Sequence, residues 1–244
     1  MIPDLATALA ATGSEGRRLL DACEASPDAL VAACPGWTNL DLAIHTTSVY
    51  RRVAYWCTIR ATKPERWPDH KPSDPLVPWA WCREGLDLVL TALADIGAEE
   101  AVWTWSDSRD GGFYHRRMVH ESVVHRWDAE AAAGSPGSID SEIAADGVDE
   151  ITAVGLRFRG DGSHVEYPDG DVLLIRTDGA QRWRLRAMDG TLQVARGADA
   201  GASAAATVAG TAEDLLLYMW NRATVGVNIS GDESVAEKWG RVAP

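Results

Sequence analysis

The chain predicts a two-part architecture of class α + α/β: an up-down four-helix bundle over residues 1–136, followed by a smaller α+β domain over residues 137–244. Three observations point there. Four stretches before residue 134 read as helices, the first with apolar positions at helical spacing. Gly134-Ser135-Pro136-Gly137 then breaks the chain with turn formers. Beyond it the hydrophobic period shortens toward the alternation of strands. A length of 244 residues suits two domains, and a hydrophobic fraction of 46% gives each a core.

The elements follow in order. Leu5 to Ala25 carries a helical apolar stripe that Ser26-Pro27 ends. After Pro35-Gly36, the run Trp37-Thr38-Asn39-Leu40-Asp41 supplies a capping residue and an acid in the first turn, so a second helix starts there and runs to about Ala61. Its one side carries Leu42, His45, Val49 and Arg52. From Thr62 to Pro78 five prolines (Pro64, Pro68, Pro72, Pro75 and Pro78) exclude helix and predict a surface loop of the length used for lids. A third helix is expected over about Pro78–Ile96, and a fourth over about Phe113–Ala133 after a turn at Asp107–Gly112.

In the second half, Asp140 to about Arg157 reads as a helix. Strands are expected at Asp171–Thr177, Trp183–Ala187 and Leu192–Ala195, the last two joined by an Asp189-Gly190 hairpin turn. Gly197 to Ala206 reads as a loose connection. Thr211 and Asp214 resemble a capping box that opens a helix over Leu215–Asn221. A short strand at Val225–Ile229 and a helix at about Ser234–Arg241 complete the domain.

A net charge of -13, from 23 basic and 36 acidic side chains, disfavours nucleic acid and anionic membrane surfaces as partners. No apolar run is long enough to cross a bilayer, and the amino terminus mixes charges into its apolar residues, unlike a signal peptide. Cys23, Cys34, Cys57 and Cys82 form no CxxC pair and read as reduced thiols of a cytoplasmic protein. A monomer or small homo-oligomer is expected. Eleven tryptophans against two phenylalanines is an unusual ratio. Those near the middle of the first half, Trp56 among them, are either core filling or the wall of a substrate pocket.

Three residues point to chemistry. Glu121 and His125 are four apart, so on a helix both project from one face, one turn apart. With His45 from a neighbouring helix they make a three-ligand set for a divalent metal, leaving positions open for reaction. An unpaired carboxylate inside a bundle would be costly, which also argues for a cation there. His120-Glu121 is not the start of a zinc-peptidase HExxH motif, because His120 and His125 are rotated by about 140° from each other. Arg117, one turn before Glu121, orients that carboxylate, binds an anionic substrate, or simply pairs with Glu121 in solvent. Asp128 either fixes the His125 tautomer or caps a core contact, and Arg52 is placed to reach a cavity mouth. His70, His115 and His164 read as loop or turn residues without a catalytic part.

The stretches Pro35–Arg52 (PGWTNLDLAIHTTSVYRR), Arg116–Gly134 (RRMVHESVVHRWDAEAAAG), Val208–Ala223 and Asn228–Asp232 resemble the mycothiol-dependent maleylpyruvate isomerase-like metalloenzymes of actinobacteria, within the DinB/YfiT-like superfamily. The resemblance implies a metal-binding four-helix bundle followed by a small α+β domain, with His45, Glu121 and His125 as ligands of zinc or another divalent metal. It implies mycothiol as cosubstrate, its thiol made acidic by zinc. It also implies that Arg222, after Asn221, holds a carboxylate of substrate or cosubstrate, although an arginine at a helix end can equally serve the helix dipole.

The expected activity is therefore attack of a low-molecular-weight thiol on an electrophilic small molecule, ending in isomerisation or S-transfer. Arg117, Arg222 and Arg52 are the catalytic candidates, and Arg222 and Trp56 the cofactor-binding ones. Two alternatives stay open: a metal-dependent hydrolase, and a non-catalytic metal-containing protein that binds a small ligand.

Overall fold

The computed structural model describes residues 4–157 and 165–243. His164 lies outside the described residues. Two compact units divide the chain after Ser138.

In the first unit, helices span Leu5–Ala25 (α1), Asn39–Thr58 (α2), Trp79–Asp95 (α3) and Gly111–Ala132 (α4). α1 lies chiefly against α4 and α3, while α2 lies against α3 and α4, so the four enclose one core. Their starts are set by side chains that accept otherwise unpaired N–H groups. Asp4 accepts from the Thr7 amide at 2.8 Å and Asp110 from the Phe113 amide at 3.0 Å. At α2 a full capping box forms: the Thr38 hydroxyl accepts from the Asp41 amide, and the Asp41 carboxylate accepts from the Thr38 amide at 2.9 Å. Gly85 lets α2 and α3 approach closely, since a Cβ there would lie 2.5 Å from Thr47 Cγ2.

α2 ends three residues before the expected Ala61. Arg60 adopts a left-handed backbone (φ 48°), and its guanidinium donates to Cys57 O at 2.8 Å and Glu100 Oε1 at 2.5 Å. The proline-rich strap that follows has no regular element up to Pro78. Side chains nevertheless tether it. Arg51 donates to Asp69 at 2.5 Å, the Trp81 indole N–H donates to the same carboxylate at 3.1 Å, and the Trp56 indole N–H donates to Glu65 O at 2.8 Å.

α4 is buried nearly all round. His115, expected in a turn, is on this helix and only 3% exposed, its Nε2 3.1 Å from Ile96 O. Arg126, in the same helix, donates to Glu15 at 2.7 Å, Glu130 at 2.8 Å, Gly137 O at 2.7 Å and Ser138 O at 3.0 Å. It thereby fastens α1 and the end of the unit to α4.

The second unit opens with α5 (Ser141–Glu150), which widens into a π-helical turn over Ile151–Gly155 instead of continuing as α-helix. Three β-branched residues and a glycine there weaken the α register. Five strands, β1 (Val172–Arg176), β2 (Arg182–Met188), β3 (Thr191–Arg196), β4 (Ala206–Gly210) and β5 (Asn228–Gly231), form a sheet in the order β3-β2-β1-β4-β5. β1 and β4 are parallel and the other pairs antiparallel. The β2–β3 hairpin turns at Asp189 and Gly190, both left-handed (φ 50° and 72°) as a type I′ turn requires.

Two expectations change in this unit. The supposed loose connection ends in a true strand: Ala206 and Val208 are fully buried and β4 pairs along the whole of β1. β5 begins at Asn228, three residues later than expected, and Val225 is 98% exposed. Helices α6 (Ala212–Met219) and α7 (Glu233–Trp239) pack on the β1 and β4 strands. α6 starts with a capping box between Thr211 and Asp214. Among the described residues no helix is long and apolar enough to cross a membrane.

Candidate metal centre

The capping box at Thr38 sets where α2 begins and hence which of its faces meets α4. His45 lies two turns in, and from α4 Glu121 and His125 face it. The three ligand atoms lie within 4.8 Å of one another. Glu121 Oε1 is 3.7 Å from His45 Nε2 and 3.6 Å from His125 Nε2, and the two imidazoles stand edge-to-face with centroids 5.4 Å apart. Two ring nitrogens and one carboxylate oxygen thus converge on one point.

Each α4 ligand has a partner behind it. Arg117 Nη2 donates to Glu121 Oε2 at 2.9 Å, which leaves Oε1 toward the histidines. His125 Nδ1 is 3.0 Å from Asp128 Oδ2, a carboxylate with no exposed side-chain surface. A donated Nδ1–H fixes the tautomer that keeps the Nε2 lone pair on the converging point. Arg117 and Asp128 are both buried, and each touches one of the three converging residues.

The electrostatics agree. Burial pushes the Glu121 carboxyl up, but His125, Arg117 and His45 together outweigh it and bring it down to about 2. Burial pushes the His45 imidazole down; Glu121 opposes this, while His125 and Arg52 add to it. An ionised carboxylate beside a neutral imidazole is the protonation state that donates lone pairs to a divalent cation. The donor set and its convergence fit zinc or a similar divalent ion.

Arg52 lies two turns beyond His45 on α2. Its Cζ sits over three indoles, 5.4 Å from Trp56, 5.4 Å from Trp67 and 5.9 Å from Trp105. Trp56 itself is 5% exposed, and its ring meets Trp103 edge-on at 4.9 Å. Of the predicted site residues, His45, Arg52, Trp56, Arg117, Glu121 and His125 therefore gather in the first unit. Arg222 belongs to the second, where it donates to Trp220 O at 2.7 Å and lies 5.5 Å from the Trp220 ring. His120 is fully buried on another side of α4 from His125, as its rotation requires.

Sequence reasoning missed Trp37, whose ring centroid is 4.8 Å from that of His45, and Trp67 over Arg52. Trp37 directly precedes the Thr38 cap, which was a usable signal. Trp67 comes from the strap, where no periodicity marks which side chain turns inward.

Comparisons with known proteins bear on the whole chain. Residues 9–130 match the mycothiol maleylpyruvate isomerase N-terminal domain, and residues 142–238 match the MDMPI C-terminal domain. No curated protein sequence matches significantly. Among solved structures, a histidine-to-alanine mutant of the mycothiol-dependent maleylpyruvate isomerase superposes with a TM-score of 0.65 at 14% identity, over 93% of each chain. The mycothiol-dependent maleylpyruvate isomerase itself superposes with a TM-score of 0.60, also at 14% identity over 93% of each chain. Likeness at that identity is likeness of fold. With the two domain models matched in order along the sequence, the chain belongs to the mycothiol maleylpyruvate isomerase family.

Proposed function

We propose that this chain is a cytoplasmic metalloenzyme that uses mycothiol as cosubstrate against an electrophilic small molecule, as an isomerase or S-transferase, with His45, Glu121 and His125 holding zinc. The observation that carries the reading is the convergence of those three donor atoms within 4.8 Å, with Arg117 and Asp128 fixing two of them from behind. The family's mycothiol chemistry supports the thiol half of the proposal. When bound, zinc supplies Lewis acidity that lowers the pKa of a thiol as it lowers that of water.

The chain's own residues do the rest. Arg117 keeps the Glu121 carboxyl ionised and turned toward the histidines. Asp128 holds the proton of His125 on Nδ1, away from the reacting side. Trp37 packs against one side of the His45 ring, with ring centroids 4.8 Å apart. The thiols of Cys23 and Cys57 are pushed up to about 12 by burial, so these groups are poor nucleophiles and an external thiol has that task. Arg222 is the family-based candidate for holding a carboxylate of substrate or cosubstrate.

Metal analysis of the purified protein, followed by thiol titration of a cobalt-substituted sample, tests the reading. One equivalent of metal and a thiol-dependent change in the visible spectrum are expected. Stoichiometric metal with a spectrum that ignores thiol removes the thiol role, and an activity that survives complete removal of small thiols shifts the assignment to hydrolysis.

A further inference from the structure

Arg51 and Arg52 are sequence neighbours with opposite circumstances. Arg51 is ion-paired through both terminal nitrogens, donating to Asp69 and Glu84, each at 2.5 Å, and to Trp81 O at 2.9 Å, although its Nε also lacks an acceptor. Arg52 has no hydrogen-bond or ion-pair partner among the described residues, and its Nε is enclosed without an acceptor. The indole N–H of Trp67, against which Arg52 stacks, is likewise enclosed without an acceptor. Two orphaned donors thus adjoin one another beside the metal centre.

The rings occupy the space around the guanidinium but cannot accept its hydrogen bonds, which lie in its plane. A guanidinium presents five N–H donors in a planar fork that matches a carboxylate. Glu121, the carboxylate whose charge is felt at Arg52, is already committed, since it is engaged by Arg117 and faces the histidines. Arg52 is half-buried with its Nε enclosed, and an enclosed donor left idle is costly unless an acceptor arrives to meet it.

We infer that Arg52, assisted by the Trp67 N–H, is the specificity-determining residue that receives a carboxylate of the electrophilic substrate. This rests on the proposed function for the word substrate, but the recognition itself is a binding property that can be measured without turnover. The substrates it selects are small carboxylic acids, in preference to their neutral esters.

Calorimetric titration of the full chain with maleate, monomethyl maleate and dimethyl maleate tests this, using wild type, Arg52→Lys, Arg52→Met and Trp67→Phe, each as purified and after chelation. Wild type should prefer the diacid over the diester by about tenfold or more, the scale of a bidentate charge-assisted contact. The preference should collapse toward parity in Arg52→Met and fall several-fold in Arg52→Lys, which keeps the charge and the stacking but loses the fork. Trp67→Phe should lower it by a smaller factor. Arg52→Lys guards against a folding artefact, with far-ultraviolet circular dichroism as the check.

The inference is overturned if wild type shows no acid preference, or if natively folded Arg52 variants keep it. It is also overturned if the preference vanishes on chelation alone, which would place the carboxylate on the metal. An Arg52-dependent preference seen with N-acetylcysteine over its methyl ester, and not with maleate, would assign the carboxylate to the thiol cosubstrate and overturn it too. Arg52-dependent acid preference without thiol-dependent turnover would sink the thiol reading and leave this one supported.

Discussion

Helix α4 carries two buried polar clusters, and they are built on opposite plans. Around Arg126, cations and anions balance: Arg126 and Arg18 meet Glu15 and Glu130, and the remaining guanidinium donors find the carbonyls of Gly137 and Ser138. Donors face acceptors, and the cluster is complete. Around Glu121, two imidazoles and a carboxylate instead aim acceptors at one another across 3.6–3.7 Å. The lesson is an inventory rule. A buried cluster whose donors and acceptors cancel holds elements together, whereas one whose lone pairs converge is waiting for a cation.

The comparison can be broken by mutation. The largest effect is expected from Glu121→Gln or His45→Ala, which should lower zinc affinity by more than the 10–100-fold that loss of an outer partner costs. Equilibrium competition against a chromophoric chelator measures it; affinity within threefold of wild type would return the cluster to a structural role. Asp128→Asn should follow with a loss of about 10–100-fold, because the His125 tautomer is no longer enforced. For these changes the primary readout is metal affinity rather than the stability of the metal-free fold.

Arg126→Met inverts that pattern. It should destabilise the chain by about 3 kcal/mol in denaturant titration, since acids are left facing a vacated site, while zinc affinity stays put. An Arg126→Met protein that lost metal affinity but kept its stability would erase the distinction between the clusters.

Acid provides a gentler probe. Both Glu121 and His45 are shifted downward in the fold, so each binds fewer protons folded than unfolded. Their contributions are complete above the unfolded values. As pH falls they are lost, first His45 below about 6.5 and then Glu121 between about 4.5 and 2. Calorimetric melting of chelated protein should show Tm declining through both windows, and Glu121→Gln should flatten the lower one. The smallest effect belongs to Thr38→Ala: about 1 kcal/mol from the lost α2 cap, read by thermal melting.

Much of this was readable from the sequence, and for identifiable reasons. α1, α2 and α3 announce themselves through 3.6-residue patterns, and Thr38 and Thr211 mark starts because caps are local chemistry; Asp110, which caps α4, reads in the sequence as part of a turn. Glu121 and His125 share a helix, so their spacing states their common face. β4 escaped notice because Ala206-Thr207-Val208-Ala209-Gly210 has too little side chain to look like a strand; its identity comes from pairing with β1. The Arg126 cluster joins residues 111 positions apart, and nothing local to either predicts the other. Trp67 over Arg52 is the same problem in an aperiodic segment.

That segment has one more property. Five fixed pyrrolidine rings restrict the span from Thr62 to Pro78 before the chain folds, so laying it across α2 forfeits less freedom than an ordinary loop of that length would. The indole it delivers over Arg52 is therefore held by a segment that is already stiff before it docks.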